Sequence, residues 1–291
     1  MRTRFAGLAF LAAASLLGSL VVGLAGEIPN ELKVGGFLIG PQAYSFNRFT
    51  FFEAIEKAKQ VGANVIEAYP GQKLSPADPS QFNHSASPAI WAKARIKLEQ
   101  TGIRLVNYGV VNLGKTEEEM RKVFDFAKVM GIPTVTSEPD AATYDLIEKM
   151  VKEYNIKVAI HNHPKRPNNP DYKYWDPQYV LALVKDRDPR IGAAADTGHW
   201  VRSGIKPMDA LKVLEGRIIS VHLKDLHEFS PNGHDVPYGQ GVSEVKAVLD
   251  ELRRQRFNGN ISIEYEYNWD NSVPEIAQCI SFVREYGKAG W

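Results

Sequence analysis

Metal-binding residue types end four short apolar runs in the second half of the sequence. The runs lead in turn to His161, Asp196, His222 and Glu264. An apolar run of four or five residues between turn residues predicts a buried parallel strand. Both α/β barrels and open α/β sheets bind their ligands at the carboxyl ends of such strands. Imidazole and carboxylate groups gathered there predict a divalent metal site, for which Mn, Zn, Mg and Co are all candidates.

Asp196 follows three alanines at the end of its run. A carboxylate that ends a buried strand must be paired, hydrogen-bonded or metal-bound, because an isolated buried charge is very costly. His199 comes three residues later, and it either binds a second metal, orients Asp196 or contacts the substrate. The alternative is an Asp that caps a helix, followed by a surface histidine.

A dense group of charges surrounds His222, since Lys224 and Asp225 follow it at once. A cation beside carboxylates suits the polarisation of a carbonyl or the binding of a hydroxylated substrate. We therefore treat His222 as a metal ligand and Lys224 as a catalytic candidate. The alternatives are a satisfied core histidine and an ordinary Lys–Asp surface pair.

Glu264 and Glu266 lie on the same side of an ideal strand. Glu264 is nearer the buried segment, so we predict that it ligates the metal, and its free oxygen can also take a proton from carbon. His161 and His163 flank one residue before Pro164, where the backbone is expected to turn. One of these histidines then ligates while the other faces the substrate.

Two further acids end strands in the first half of the chain. Glu138 follows a Thr-Val-Thr-Ser run and is either a fifth metal ligand or an acid/base partner, with a helix-terminal acid as the alternative. Glu67 ends the second predicted strand in the same way.

Eight strand–helix units position these residues. The strands are expected within 34–46, 61–69, 102–108, 131–138, 157–161, 191–196, 217–222 and 259–264. A polar loop is expected around Pro76 and Pro79, and capping boxes at Thr50/Glu53, Thr116/Glu119 and Ser272/Glu275 are predicted to begin helices. Eight such units without a break in composition predict an α/β fold, a (β/α)8 TIM barrel that forms a single domain over residues 27–291.

The bulk composition restricts the possible partners. A net charge of +1 argues against a nucleic-acid-binding surface. Cys279 is the single cysteine, which excludes an intrachain disulfide and a Cys-based zinc cluster. The expected partner is therefore a small molecule, and a homo-oligomer is left open.

The first 26 residues form a separate segment. Arg2 and Arg4 precede an almost wholly apolar stretch, 5–25, that ends in small residues. This pattern predicts a secretory signal peptide, residues 1–26, and an uncleaved membrane anchor is the alternative. We expect a secreted protein, exported to a bacterial periplasm and not bound to the membrane after cleavage.

Three motifs resemble one family in the order of its strands. Asp196-Thr-Gly-His199, Val221-His222-Leu-Lys-Asp225 and Ile263-Glu264 are similar to motifs of the xylose isomerase-like TIM-barrel superfamily, which includes sugar phosphate isomerases and epimerases, inosose dehydratases and endonuclease IV-like enzymes. The resemblance to its ketose 3-epimerase-like members implies one divalent metal, with Asp196, His222 and Glu264 among its ligands.

The sequence departs from that pattern at the fifth strand. His161 stands where the resembling epimerases have a Glu that also moves a proton, in partnership with the Glu of strand eight. Either His161 ligates and Glu138 supplies the missing acid, or the reaction differs. The Asp-x-His pair of the trinuclear endonuclease arrangement is not matched, because His234-Asp235 falls differently.

These patterns predict a metal-dependent isomerase or epimerase that acts through an enediolate on an unphosphorylated sugar or keto-sugar. Glu264 or Glu138 would remove the proton, and His163, His199 or Lys224 would stabilise or protonate the enediolate oxygen. Two alternatives stay open. One is a 3-keto-glycoside lyase or hydratase on the same fold, and the other is a non-catalytic exported sugar-binding barrel.

Overall fold

A computed structural model describes residues 29–289 of the protein. The predicted signal peptide, residues 1–26, lies outside the described residues. Strands and helices alternate along the described chain, as the sequence predicted. No helix within residues 29–289 is long and apolar enough to cross a membrane.

Twelve strands are described. They are β1 Leu38–Pro41, β2 Val65–Ala68, β3 Gln72–Ser75, β4 Asp78–Phe82, β5 Arg104–Tyr108, β6 Thr134–Ser137, β7 Lys157–His161, β8 Ile191–Asp196, β9 Ile218–Leu223, β10 Asp225–Leu226, β11 Asp235–Val236 and β12 Asn260–Ile263. The α-helices are α1 Phe51–Gln60, α2 Pro88–Thr101, α3 Glu117–Met130, α4 Tyr144–Tyr154, α5 Pro177–Val184, α6 Thr197–Arg202, α7 Pro207–Val213, α8 Val245–Arg254 and α9 Val273–Lys288. Short 3₁₀ turns occupy Asn30–Leu32, Ala43–Phe46 and Ala141–Thr143.

Eight of these strands form one parallel sheet in the order β1-β12-β9-β8-β7-β6-β5-β2. A parallel bridge between Gln42 and Glu67 joins its two edges, so the sheet closes on itself. The predicted TIM barrel is therefore confirmed. The strands that carry the four principal candidate ligands, β7, β8, β9 and β12, are consecutive neighbours in the barrel, so their carboxyl ends meet on one side of its mouth.

Local sequence signals explain most of the helix starts. Thr50 with Glu53 and Thr116 with Glu119 form the two predicted capping boxes, in which each side chain bonds the other residue's backbone N–H. The third predicted box is wrong, because Ser272 donates its hydroxyl to the carbonyl of Ser45 instead of capping α9. The Ser272 interaction links α9 to the turn after β1, a contact between parts of the chain that are far apart in sequence.

The predicted polar loop around Pro76 is partly a β-hairpin. Strands β3 and β4 pair antiparallel, with Gln72 opposite Phe82 and Ser75 opposite Asp78. Most of β4 is exposed and contains Pro79, so it lacks the apolar alternation that marks a strand in the sequence. The hairpin is held through Phe82, whose ring stacks on that of Phe51 with the ring centroids 4.3 Å apart.

Candidate metal centre

The carboxyl ends of β7, β8, β9 and β12 bring their polar side chains into one buried cluster. His161 Nε2 lies 3.7 Å from Asp196 Oδ2. His222 Nδ1 lies 3.8 Å from the same Asp196 oxygen and 3.2 Å from Glu264 Oε2. All four residues are buried. Donor atoms of His161, Asp196, His199 and Glu264 also lie within 4.8 Å of one another, so the predicted convergence of strand ends is present.

Two atoms in this cluster are buried acceptors without a hydrogen-bond partner among the described residues. They are His161 Nε2 and Asp196 Oδ2, although the ammonium of Lys224 forms an ion pair with the Asp196 oxygen at 3.1 Å. The Nδ1 of His161 faces Glu138 Oε1 at 3.2 Å, so Nδ1 would keep its proton when a metal is bound, and the lone pair of Nε2 would then be directed towards Asp196. Two acceptors that face each other at 3.7 Å are too far apart to share a good hydrogen bond, and a cation between them would satisfy both.

The field at His161 favours positive charge. Burial alone lowers the pKa of His161, but Asp196 and Glu138 raise it above its usual value. The same two carboxylates that attract a proton to this ring would attract a metal ion to its Nε2. The residues present therefore fit a divalent cation.

Glu138 serves as a shared acceptor at the end of β6. Its Oε1 accepts from the Tyr172 hydroxyl at 2.8 Å and the His163 backbone N–H at 3.0 Å, and lies 2.5 Å from His163 Nδ1. Burial raises the pKa of Glu138, but the hydrogen bonds of His161 and His163 outweigh it and hold the pKa well below its usual value. These contacts favour an orienting role over the predicted roles of metal ligand or proton acceptor.

His163 presents the exposed edge of this group. Its side chain is 37% exposed, and its ring stacks on that of His199 with the centroids 5.4 Å apart. Because Nδ1 is hydrogen-bonded to the ionised Glu138, Nδ1 carries the ring proton and Nε2 is left as a basic nitrogen. Nε2 has no hydrogen-bond partner within residues 29–289.

Glu67 orients His222 from the far side of the barrel. Both carboxylate oxygens of Glu67 lie 3.1 Å from His222 Nε2, and one of them also accepts the hydroxyl of Ser262. Burial lowers the pKa of His222, but Glu67 and Glu264 raise it well above its usual value. With a metal bound, Glu67 would keep the ring proton on Nε2, and the lone pair of Nδ1 would face Asp196 and Glu264. A carboxylate–His pair of this kind is the usual support of a histidine that binds metal. Sequence reasoning noticed Glu67 but did not predict this pairing.

Lys224 is almost completely buried and lies among carboxylates. Its Nζ is 3.1 Å from Asp196 Oδ2, 2.8 Å from Glu264 Oε2 and 2.6 Å from Glu266 Oε2. Burial lowers the pKa of Lys224, but Asp196 and Glu264 raise it well above its usual value, so the ammonium stays charged. The predicted cation beside carboxylates is confirmed, and the alternative of a Lys224–Asp225 surface pair is wrong.

Thr197 and Gly198 lock the end of β8 to the end of β9. The Thr197 hydroxyl accepts the backbone N–H of Lys224 at 2.9 Å and donates to its carbonyl at 3.0 Å. A Cβ on Gly198 would lie 2.7 Å from the Lys224 stem, so a larger residue would displace the ammonium. Asp196 Oδ1 caps α6 through the His199 N–H at 2.7 Å, which leaves Oδ2 for the cluster. The helix-cap and metal-ligand interpretations of Asp196 are thus compatible.

Asp225 holds the loop that follows β11. Its carboxylate accepts the backbone N–H groups of Gly239 at 2.8 Å, Gly241 at 3.0 Å and Ser243 at 3.0 Å. A Cβ on Gly241 would lie 2.4 Å from an oxygen of Asp225, so this close approach requires glycine. The loop is therefore anchored beside the strand ends.

His199 is buried on the first turn of α6. Its Nε2 lies 3.5 Å from Asp196 Oδ2. Burial lowers the pKa of His199 well below its usual value against the opposing effect of Asp196, so the ring is neutral.

All the predicted site residues lie in this region of the barrel, namely Glu138, His161, His163, Asp196, His199, His222, Lys224 and Glu264.

Comparison with known structures shows the same fold. A solved structure of an uncharacterised protein from Parabacteroides distasonis ATCC 8503 is 35% identical, covers 86% of this chain and 98% of its own, and superposes with a TM-score of 0.69. A D-tagatose 3-epimerase-like protein has the same fold, with 17% identity, a TM-score of 0.66 and coverage of 87% and 98% of the two chains.

A curated relative matches over part of the chain. Inosose dehydratase of Clostridium tetani is 28% identical over 135 residues, which are 40% of this chain and 43% of that enzyme. The chain thus spans less than half of that relative. A family model described as the xylose isomerase-like TIM barrel matches residues 55–286. Since that match includes every site residue described above, the chain belongs to the xylose isomerase-like TIM barrel family.

Proposed function

We propose that this protein is a divalent-metal-dependent enzyme that removes a proton from the carbon next to the carbonyl of an unphosphorylated sugar or keto-sugar. The observation that carries the proposal is the pair of buried acceptors, His161 Nε2 and Asp196 Oδ2, which face each other across 3.7 Å. A family of sugar isomerases, epimerases and dehydratases supplies the reaction class.

Four residues would hold the metal. They are His161 through Nε2, Asp196 through Oδ2, His222 through Nδ1 and Glu264 through Oε2. A site of two imidazoles and two carboxylates suits Mn, Co or Zn better than a site made only of oxygen ligands would. When bound, the metal would act as a Lewis acid that polarises a carbonyl and the neighbouring hydroxyl.

His163 is the base that the geometry favours. Its Nε2 accepts the proton from carbon, and the ionised Glu138 at Nδ1 stabilises the imidazolium that results. Glu264 is less suited to that role, because its Oε2 would bind the metal and already contacts Lys224 at 2.8 Å and His222 at 3.2 Å. The resembling epimerases have a Glu base at the position of His161. In this chain His163, two residues further on, would supply the base instead.

Lys224 stabilises the negative charge that develops on the substrate oxygen. Its ammonium is held by three carboxylates, and Glu266, which is not among the proposed metal ligands, would keep it in place when the metal binds Asp196 and Glu264. Return of the proton from His163 to the neighbouring carbon gives an isomer, whereas an epimer needs a second acid that protonates the same carbon on the opposite face of the enediolate. The buried cations Lys224 and Arg202 are both paired with carboxylates, which favours a substrate without a phosphate group.

An elimination is the second candidate. An imidazole base and an ammonium replace the two symmetrical glutamates of an epimerase. In this arrangement the enediolate expels a hydroxyl or alkoxyl group from the next carbon, and the proton held by His163 leaves with that group. The partial similarity to inosose dehydratase agrees with this outcome.

Proton exchange in D2O tests the proposal. The protein is stripped with a chelator, reloaded with Mn²⁺ or Co²⁺, and incubated with a panel of unphosphorylated ketoses and 3-keto-glycosides. We expect metal-dependent deuterium incorporation next to the carbonyl, seen by NMR, or loss of a β-substituent if the reaction is an elimination. His163→Gln is expected to bind the metal normally and to lose exchange by about 10²–10⁴-fold. Exchange that persists after complete chelation would contradict the proposal, and sugar binding without exchange would favour the non-catalytic barrel.

The apolar segment 5–25 supports the further proposal that the protein is exported. N-terminal sequencing of the protein recovered from a periplasmic fraction tests this proposal. A mature start close to residue 27 is expected, and a full-length chain retained with the membrane would favour the uncleaved anchor.

A further inference from the structure

Arg202 contacts the back of His199 at the end of α6. Its Nη1 lies 3.2 Å from His199 Nδ1. The guanidinium is held by three other acceptors, the carbonyl of Gly233 at 2.9 Å, Asp235 Oδ2 at 3.1 Å and Glu266 Oε2 at 3.1 Å. With its side chain only 13% exposed and four contacts in place, Arg202 has a fixed orientation towards the imidazole.

The chemistry of the two groups determines which nitrogen of His199 carries the proton. An arginine side chain has only donors and stays protonated in proteins. Nδ1 of His199 must therefore accept, and the proton of the neutral ring is placed on Nε2. A protonated Nε2 has no lone pair for a metal, although this atom lies within ligand distance of the other donors of the cluster.

His161 and His222 show the opposite arrangement. Each of them has a carboxylate behind the ring, Glu138 in one case and Glu67 in the other. A carboxylate takes the ring proton and leaves the second nitrogen as a lone pair that points into the cluster. Three histidines of one site are thus sorted by what lies behind them, which is a carboxylate for two and a guanidinium for the third.

We propose that Arg202 is a positioning residue that excludes His199 from the metal ligands and fixes it as an N–H donor to a substrate oxygen. This inference rests on the proposed function for the identity of the site and adds the division of labour among its histidines. Glu266 connects Arg202 to Lys224, because its Oε2 contacts both side chains. His199 and Lys224 then form the donors of the site, and the base His163 stacks on His199.

A Co²⁺ titration in two backgrounds tests the proposal. In the wild-type protein, His199→Ala is expected to change the Kd for Co²⁺ by less than about threefold and to leave its visible spectrum unchanged. In an Arg202→Met background, Nδ1 is free to take the proton and Nε2 becomes a ligand. The same His199→Ala change is then expected to weaken Co²⁺ binding by about tenfold or more and to alter the spectrum. An equal effect of His199→Ala in both backgrounds would overturn the proposal.

Two controls keep the outcome independent of the proposed function. Arg190→Met removes an arginine at the amino end of β8, paired with Asp188, and is expected to bind Co²⁺ like the wild type. Ring ¹⁵N NMR of the metal-free wild-type protein reports the tautomer directly, and we expect His199 protonated at Nε2 and unprotonated at Nδ1. A proton on Nδ1 would overturn the proposal even if the protein bound no metal, whereas absent metal binding with the expected tautomer would contradict only the proposed function.

Discussion

Two arcs of the barrel interior bury polar side chains equally well and differ in how those side chains are satisfied. On the arc formed by β5 and β6, Asn107 and Thr136 bond each other at 2.9 and 3.1 Å, and Asn107 also accepts the N–H of Tyr108. On the arc formed by β7 and β8, His161 and Asp196 are just as buried, yet His161 Nε2 has no hydrogen-bond partner in the described chain, and Asp196 Oδ2 has an ion pair with Lys224 at 3.1 Å but no well-aligned hydrogen bond there.

The difference identifies the functional arc. A buried polar group costs free energy unless a partner satisfies it, so two open acceptors that face each other indicate a place where a group from outside the chain can bind. The β5–β6 arc is complete without a ligand and stabilises the fold. In the proposed function a cation completes the β7–β8 arc, and burial alone would not have distinguished the two.

Removal of one open acceptor should have the largest effect. His161→Leu deletes Nε2, and we expect the Kd for Mn²⁺ or Co²⁺ to rise by at least about 100-fold, because one of the four ligands is lost. In the wild type, metal at 100 times its Kd should increase the free energy of unfolding by about 2.7 kcal/mol. Calorimetric titration and urea unfolding with and without metal measure both quantities. A His161→Leu protein that is still stabilised by metal would show that the open acceptors are not the site.

Glu138 should be the next most sensitive position. Glu138→Gln keeps the shape of the side chain but removes the charge that holds the protons of His161 and His163 on their Nδ1 atoms. We expect turnover to fall by about 10–100-fold, together with weaker metal binding. Tyr172→Phe is the matched control, because it removes one neutral hydrogen bond to the same oxygen and leaves the carboxylate charged. Equal losses in the two variants would show that the hydroxyl, and not the charge, is what matters.

The sequence predicted the residues of the β7–β8 arc well, because the pattern that marks them lies within a few consecutive residues. An apolar run followed by His or Asp marks each of β7, β8 and β9. Because these strands are neighbours in the barrel, their terminal side chains lie close together. The capping boxes at Thr50 and Thr116 were predictable for the same reason, since the two residues of each box lie within one helical turn. The family resemblance was likewise carried by contiguous motifs, and the family match confirms it.

The partners behind the histidines were not predictable, because they come from distant parts of the chain. Glu67 is 155 residues from His222. Arg202 lies on a short helix where its spacing from His199 suggests only an ordinary surface turn. Glu138 was noticed as an acid, but its role depends on Tyr172 and two histidines that meet it only after folding. The failed capping box at Ser272 has the same cause, a competing partner at Ser45.

Glu67 supports the site from a third part of the barrel and sharpens the comparison. It lies on β2, outside both arcs, yet it contacts His222 of β9 across the barrel. Glu67→Gln should weaken metal binding by about tenfold, because the amide no longer fixes the proton on His222 Nε2. Ser262→Ala removes the other partner of the same carboxylate and serves as the control, with a smaller expected change. A metal Kd unaffected by Glu67→Gln would place His222 outside the ligand set.

A substitution in the β5–β6 arc should lower the stability of the fold and leave metal binding unchanged. Thr136→Val is nearly isosteric but removes the hydroxyl that accepts from Asn107 Nδ2, so a buried donor loses its partner. We expect the free energy of unfolding to fall by about 1–3 kcal/mol, measured by urea denaturation of the metal-free protein. Calorimetric titration should give a metal Kd equal to that of the wild type. If Thr136→Val weakened metal binding as much as Glu138→Gln does, the two arcs would act as one polar network, and the distinction between a structural arc and a functional arc would fail.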